Sequence, residues 1–322
     1  MSVDRAAMSY SRSVLGAVIG KKLAAASSRR KVEHDSDIGP ETSLAYFAGM
    51  TDEEEQDYVL GTHNDEIARL GLQHNVWRPH AHAVWQAAGF SIGQTILDVG
   101  CGPGYAAVDL AELVGPAGQV VAVDRSRRFL ESLEARRETR GLENIIVVES
   151  DLDEVTFDAK IADGAWCRWV LAFVQRPREL LTRVARALRP GAAFVSHEYF
   201  DYALWRTLPH SPLLDEFVGA TIDNWRKSGG EPDIGAQVPM WLEELGFEIE
   251  SVRPLVYVIS SRDYMWLWPT SFMEVGLDRL VQLGAIEPGR APALQKAMNE
   301  ITNSTDLRMI TPGLLEVVAR AP

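Results

Sequence analysis

The sequence predicts an α/β protein built on an open sheet flanked by helices, and three observations carry that prediction. The first is the run Thr95-Ile96-Leu97-Asp98-Val99-Gly100-Cys101-Gly102-Pro103-Gly104-Tyr105, a buried strand whose glycine-rich turn opens directly into a helix. Ile96, Leu97 and Val99 give it the apolar, β-rich character of a central strand. The second is a pair of apolar runs that lead into acidic residues: Gly118–Asp124, and Ile145–Val148 just ahead of Glu149, Ser150 and Asp151. The third is Arg189-Pro190-Gly191, a turn that feeds the apolar run Ala192–His197.

Composition bounds the function classes. The chain has 322 residues, enough to bury a large core in one elaborated domain or two small ones. A hydrophobic fraction of 46% excludes a disordered tail protein, and a net charge of −13 argues against nucleic acid as a partner, because phosphate binding needs basic clusters. Apolar stretches are too short to cross a bilayer, so no membrane association is expected. Only Cys101 and Cys167 are present, so no disulfide framework is indicated and the cytoplasm is the default location. Both thiols are expected to be packed rather than nucleophilic.

Before the first strand, residues 1–31 carry seven basic side chains against Asp4, and the small apolar segment Val14–Ala26 lacks a cleavage site of the signal-peptide kind. Residues 33–66 reverse the sign, with Asp52-Glu53-Glu54-Glu55 the densest patch. Within them Pro40–Phe47 reads as a short helix whose aromatic face is Tyr46 and Phe47. Two helical stretches follow, up to Pro79 and from His82 to Ala88, with Gly71 and Pro79 as breaks.

After the glycine turn, Ala106, Ala107, Val108, Leu110 and Leu113 continue at helical spacing. The fourth strand is expected at Asp163–Arg168, then Trp169–Phe173, a helix from about Arg176 to Leu188, and the fifth strand at Ala192–His197. Beyond it the chain is rich in aromatic residues: Trp205, Phe217, Trp225, Trp241, Tyr264, Trp266, Trp268 and Phe272. Trp241–Phe247 reads as a helix leading into a sixth strand, and Leu314–Arg320 as the last.

The spacing of the glycine turn narrows its ligand. A dinucleotide fingerprint wants a third glycine at position 105, where this chain has Tyr105. The glycines instead fall two apart, and Asp124 lies 20 residues beyond Gly104, where a carboxylate can accept both hydroxyls of an adenosine ribose. With "ILDVGCGPG", "VVAVD", "ESDLDE" and "ALRPGAAFV" in this order, residues 70–200 resemble the class I S-adenosylmethionine-dependent methyltransferases.

That resemblance implies a seven-stranded sheet of order 3-2-1-4-5-7-6 with an antiparallel last strand, sandwiched by helices. It also implies an N-terminal helical lid over residues 1–65, a methyltransferase domain over 66–322, and cap insertions at about 201–240 and 261–306. S-adenosyl-L-methionine is the implied cofactor. Asp98, Gly100, Gly102, Gly104, Asp124, Arg125, Asp151, Leu152 and Cys167 are the expected cofactor-binding residues. Trp77 could shield the sulfonium and Arg78 meet the methionyl carboxylate, against a plain core tryptophan and a surface ion pair.

The acceptor site is expected where the fourth and fifth strands end. It would draw on Arg168, Trp169, Tyr202 and Trp266, with Tyr46 and Phe47 as the lid, against ordinary packing of the same residues. His197, Glu198 and Tyr199 are the acid–base candidates, since a histidine beside a carboxylate titrates near neutrality; a satisfied structural histidine is the competing reading. No carboxylate set follows the fourth strand and His80-x-His82 suits no single helix face, so no metal is expected. The expected partner is a hydrophobic small molecule from specialised metabolism. Layout is also similar to C-methyltransferases that methylate a terpenoid side chain and trigger ring closure; methylation at oxygen or nitrogen is the alternative, and protein or RNA acceptors are disfavoured by charge. A homo-oligomer, with the N-terminal helix exchanged between subunits, is the expected assembly.

Overall fold

The order of strands is the first thing that the chain's computed structural model settles, over the residues it describes, 64–322. Tyr46, Phe47, the basic stretch 1–31 and the lid helix lie outside the described residues, as does the segment on which subunit exchange rests. Helix α1 (Asn64–Ala87) leads into β1 (Thr95–Val99), α2 (Tyr105–Val114), β2 (Gln119–Asp124), α3 (Arg127–Arg140) and β3 (Ile145–Glu149). Then come β4 (Ala162–Arg168), α4 (Pro177–Ala187), β5 (Leu188–Asp201), β6 (Arg206–Leu208), α5 (Pro212–Lys227) and α6 (Val238–Glu244). Strands β7 (Glu248–Leu255) and β8 (Val258–Ile259), helices α7 (Leu267–Gln282) and α8 (Ala291–Thr302), β9 (Arg308–Ile310) and β10 (Gly313–Arg320) complete the chain.

Seven strands form one sheet in the order β3-β2-β1-β4-β5-β10-β7, which is the class I methyltransferase order. Pairing is parallel from β3 through β5, and β10 runs antiparallel between β5 and β7. Strand order reverses between β1 and β4, so a crevice opens beyond their carboxyl ends, where open α/β sheets bind ligands. Val84, Trp85, Ile96, Leu110, Val120 and Trp166 belong to the buried core between α1, α2 and the sheet.

Three local expectations are corrected. Helix α1 runs unbroken through Pro79. Its buried residues Trp77, Ala81, Val84 and Trp85 recur at helical spacing, and packing of that stripe outweighs the backbone hydrogen bond the proline removes. Gly71 marks a close approach rather than a break, because a Cβ there would lie 2.4 Å from the Tyr105 hydroxyl. Strand β5 starts before its expected turn and reaches Asp201, since β10 pairs with it as far as Gly313. Helices α5, α7 and α8 pack on one another beside a small sheet, β6-β9-β8, whose very short strands carry no readable period.

Candidate functional site at the carboxyl edge of the sheet

Glycines at 100, 102 and 104 all have positive φ, of 68°, 54° and 82°, but for different reasons. A Cβ on Gly100 would meet Val170 at 2.4 Å, and one on Gly104 would meet Leu133 at 2.3 Å, so both are required by packing within the protein. Gly102 has nothing within 4 Å of such a Cβ. Its bare backbone therefore faces open space, the position at which a ligand can approach the turn.

Asp124 shapes this turn from the end of β2. Its two oxygens accept from the backbone N–H groups of Gly102 (2.8 Å) and Ser126 (2.9 Å). The Arg125 N–H also bonds this carboxylate, and burial, acting against these donors, holds the carboxyl above its ordinary pKa. Beyond β3, Asp151 accepts from the Asp153 N–H at 2.8 Å and lies 3.9 Å from the exposed Arg125, while Leu152 is buried beside them.

Asp98 and Arg168, near the ends of the adjacent strands β1 and β4, are the unbalanced pair of the site. Asp98 is buried and its Oδ2 has no hydrogen-bond partner; burial, opposed by the Arg168 cation, leaves its pKa pushed up to about 7. Arg168 donates from Nη2 to His74 Nδ1 at 2.9 Å, while its Nη1 is buried without a partner. Its guanidinium carbon lies 5.0 Å from the Trp169 ring centroid and 5.5 Å from that of Trp166. Burial lowers its pKa to about 10, so it remains a cation at neutral pH.

Aromatic rings converge beside this pair. Trp169 stacks on Tyr199 and on Trp268, each at 5.9 Å, and Trp77 meets Trp268 edge-on at 4.9 Å. Tyr257 closes one side, 6.2 Å from Trp77, and accepts or donates at 2.7 Å with His80 Nε2. Trp169 adopts φ 53°, a left-handed conformation that costs a non-glycine residue about 1–2 kcal/mol. A strained aromatic residue at a strand's carboxyl end is characteristic of functional sites. Tyr202 packs edge-on to Tyr199 at 4.9 Å and lies deeper, among Trp205 and Trp225.

Several expected roles change. Arg78 does not face the glycine turn: it grips Asp109 of α2 through Nε at 2.7 Å and Nη2 at 3.0 Å, because the unbroken α1 lays it over that helix. The two lie in a cleft of about 430 Å³ between α1, α2 and α3. His197 is wholly buried, bonded through Nε2 to Glu316 at 2.9 Å and packed edge-on to Trp77 and Trp166; burial lowers its pKa. Glu198 Oε1 accepts from the N–H groups of Val170 (2.8 Å) and Leu171 (2.9 Å) and so pins the turn after β4. His197 Nε2 and Glu198 Oε1 thus have structural partners, while His197 Nδ1 and Glu198 Oε2 are buried without one.

Trp266 donates to the Thr302 carbonyl at 3.3 Å inside the cap, and Trp268, two residues on and facing another way, takes the place expected of it. Trp77, with no exposed surface, is a central wall of the aromatic cluster. Cys101 and Cys167 are buried, and burial pushes both thiols well up, which keeps them protonated. Among the described residues no group of three or more His, Cys, Asp or Glu side chains is arranged to hold a metal, and no helix is long and apolar enough to cross a membrane.

Sequence reasoning missed His74, Asp109 and Tyr257, and named Trp268 only among the aromatic residues beyond the fifth strand. Only Asp109 left a usable signal, a carboxylate in the middle of the apolar stripe of α2.

Residues 96–191 match the family model described as a methyltransferase domain. An uncharacterized 37.1 kDa protein in transposon TN4556 of Streptomyces fradiae is 29% identical over 71% of this chain and 63% of its own length. The 2-phytyl-1,4-naphthoquinone methyltransferase of Synechococcus elongatus is 32% identical over 50% of this chain and 65% of its own. The chain thus spans just under two thirds of these relatives. A solved structure of a Bacillus halodurans C-125 protein shares the fold, with a TM-score of 0.51 at 17% identity over 75% of this chain and 98% of that one.

Proposed function

We propose that this chain is an S-adenosylmethionine-dependent methyltransferase acting on a hydrophobic small molecule. The observation that carries the reading is that, among the buried unpartnered polar atoms of the site, Asp98 Oδ2 and Arg168 Nη1 bring opposite charges to the carboxyl ends of adjacent strands. A buried carboxylate and a buried guanidinium, each with an unpartnered atom, fit the ammonium and carboxylate of a methionyl group. Gly102 leaves room for the cofactor beside them, and the Asp124 carboxylate at the end of β2 suits ribose hydroxyls. Leu152 and Asp151 would border the adenine.

The cofactor supplies an electrophilic methyl group on a sulfonium. What the protein supplies is position, exclusion of water and an aromatic wall. Trp169, Tyr199 and Trp268 form that wall, and their π-faces suit an apolar acceptor and a developing positive charge. His197 Nε2 and Glu198 Oε1 are engaged in holding the fold and both side chains are buried, so the site favours an acceptor whose carbon attacks before any proton leaves. Methylation at carbon of an electron-rich alkene or ring, as in a terpenoid or prenylated compound, is therefore the first reading. The phytyl naphthoquinone in the name of one relative is likewise a hydrophobic molecule with a terpenoid chain. Methylation at oxygen or nitrogen is the second.

The test is to incubate the purified chain with methyl-labelled S-adenosylmethionine and a fractionated host extract. Label in the organic-soluble fraction supports the reading, and the labelled position separates carbon from oxygen and nitrogen. Label in precipitated protein or RNA overturns the substrate class. Failure to bind S-adenosylhomocysteine in a titration overturns the cofactor.

A further inference from the structure

We infer that His74 and Asp109 are positioning residues that aim Arg168 at the cofactor's carboxylate, an inference that rests on the cofactor reading above. Arg168 forms no ion pair with a carboxylate among the described residues; its polar contact is the imidazole of His74, Nη2 to Nδ1 at 2.9 Å. A guanidinium can only donate, so Nδ1 must accept, and the ring's single proton lies on Nε2. There it is donated to Asp109 Oδ2 at 3.0 Å. The arrangement therefore fixes His74 as one neutral tautomer, and burial and the Arg168 charge both act against its protonation.

The groups facing this imidazole are accounted for on every side. Arg78 holds Asp109 through both carboxylate oxygens, and His82 Nε2 reaches Asp109 Oδ2 at 3.0 Å. Tyr105 stacks on the His74 ring at 5.8 Å. Asp109 is thus anchored from α1 by three side chains, and its carboxyl is held far below the usual carboxylate range. A neutral imidazole between the aspartate and Arg168 orients the guanidinium without neutralising it. Direct contact between Asp109 and Arg168 would instead have competed with the ligand's carboxylate. Indirect support of this kind fixes the orientation of binding groups elsewhere in proteins.

Two ligands separate this role from general structural support. S-adenosylhomocysteine carries the amino-acid end, and 5′-methylthioadenosine lacks it. In His74→Ala, affinity for S-adenosylhomocysteine should fall by about tenfold or more, as for loss of one charge-assisted hydrogen bond, while that for 5′-methylthioadenosine stays within about twofold. His74→Gln, whose amide can accept from Arg168 and donate to Asp109, should restore most of the loss. Arg168→Ala should show the same selective loss, and the His74→Ala/Arg168→Ala double variant should lose no more than Arg168→Ala alone. Asp109→Asn tests the same chain from its far end and should weaken S-adenosylhomocysteine selectively if His74→Ala does not fold. Equal losses for both ligands, or unchanged binding of S-adenosylhomocysteine in these variants, would overturn the positioning role. If the unsubstituted chain bound 5′-methylthioadenosine and S-adenosylhomocysteine equally well, Arg168 would have no carboxylate to aim at. If it bound neither, the cofactor reading itself would fall, and this inference with it.

Discussion

Asp98 is a carboxylate kept out of water without a partner on Oδ2, and its pKa of about 7 has a measurable consequence. An ammonium docking beside it favours the ionised form, so below that pKa binding must expel a proton. Titration of S-adenosylhomocysteine in buffers of different ionisation enthalpy should show about one proton released near pH 6 and close to none at pH 8. Affinity should rise with pH up to about 7 and then level off. In Asp98→Asn both effects should vanish, and affinity at pH 8 should fall by about tenfold. Proton release that persists in Asp98→Asn would assign it to another group.

Asp124 is the second residue with a distinct expectation. Its oxygens already hold the turn through Gly102 and Ser126, so Asp124→Ala removes both the ribose contact and the support of the turn. Cofactor affinity should fall by more than about tenfold in a binding titration. Unchanged affinity would remove Asp124 from the ribose. The spacing of glycines and carboxylates made this half of the site legible. Arg168 was legible as a residue delivered to the edge but not as half of a pair with Asp98. Nor did anything in the sequence say that Glu198 would turn inward to hold backbone.

At the scale of elements, the turn after β4 depends on that inward carboxylate. Glu198→Ala leaves the buried N–H groups of Val170 and Leu171 without their acceptor, a loss of about 1–3 kcal/mol for each such group. Chemical denaturation should show a destabilisation of about 2 kcal/mol or more, and Trp169, anchored on this turn, should lose its stacked position. Glu198→Gln keeps the acceptor. The wild-type carboxyl has its pKa raised by burial to about 7, so its contribution to stability is present in full at low pH and is lost as pH rises from the ordinary glutamate value of 4.5 through about 7. Glu198→Gln should lack that part of the pH dependence, and its stability relative to wild type should improve between pH 5 and pH 8. An unchanged pH profile would mean that Glu198 does not titrate in this range.

Elements were readable in proportion to how much their pattern owes to local sequence. The parallel strands β1 to β4 are short, largely apolar runs, and their ends fall within a residue or so of expectation. Helix α1 was misjudged because Pro79 is a strong local signal that the buried stripe around Trp77 and Trp85 overrides. Strands β6, β8 and β9 exist only through one another, at two or three residues each, so nothing local announces them.

For the whole molecule, the sheet order followed from a resemblance rather than from any propensity, since pairing partners far apart in sequence leave no local trace. The aromatic cap behaves likewise: the tryptophans were visible, but which of them face the site depends on how α7 lies against α1. One measurement reads the assembled site at this scale. A ligand that binds only the folded chain stabilises it by about 2.7 kcal/mol at a hundred times its Kd. For a chain of this size each kcal/mol raises Tm by about 2 °C, so S-adenosylhomocysteine should shift the unfolding midpoint by about 5 °C. At one fixed ligand concentration the shift should shrink from pH 8 to pH 6, because unliganded Asp98 then carries a proton that binding must remove. 5′-Methylthioadenosine, which never meets Asp98 or Arg168, should give a smaller shift with no such pH dependence. A pH-dependent shift for both ligands would place the titrating group at the adenosine end, beside Asp124, and would move the unbalanced charge away from the methionyl pocket.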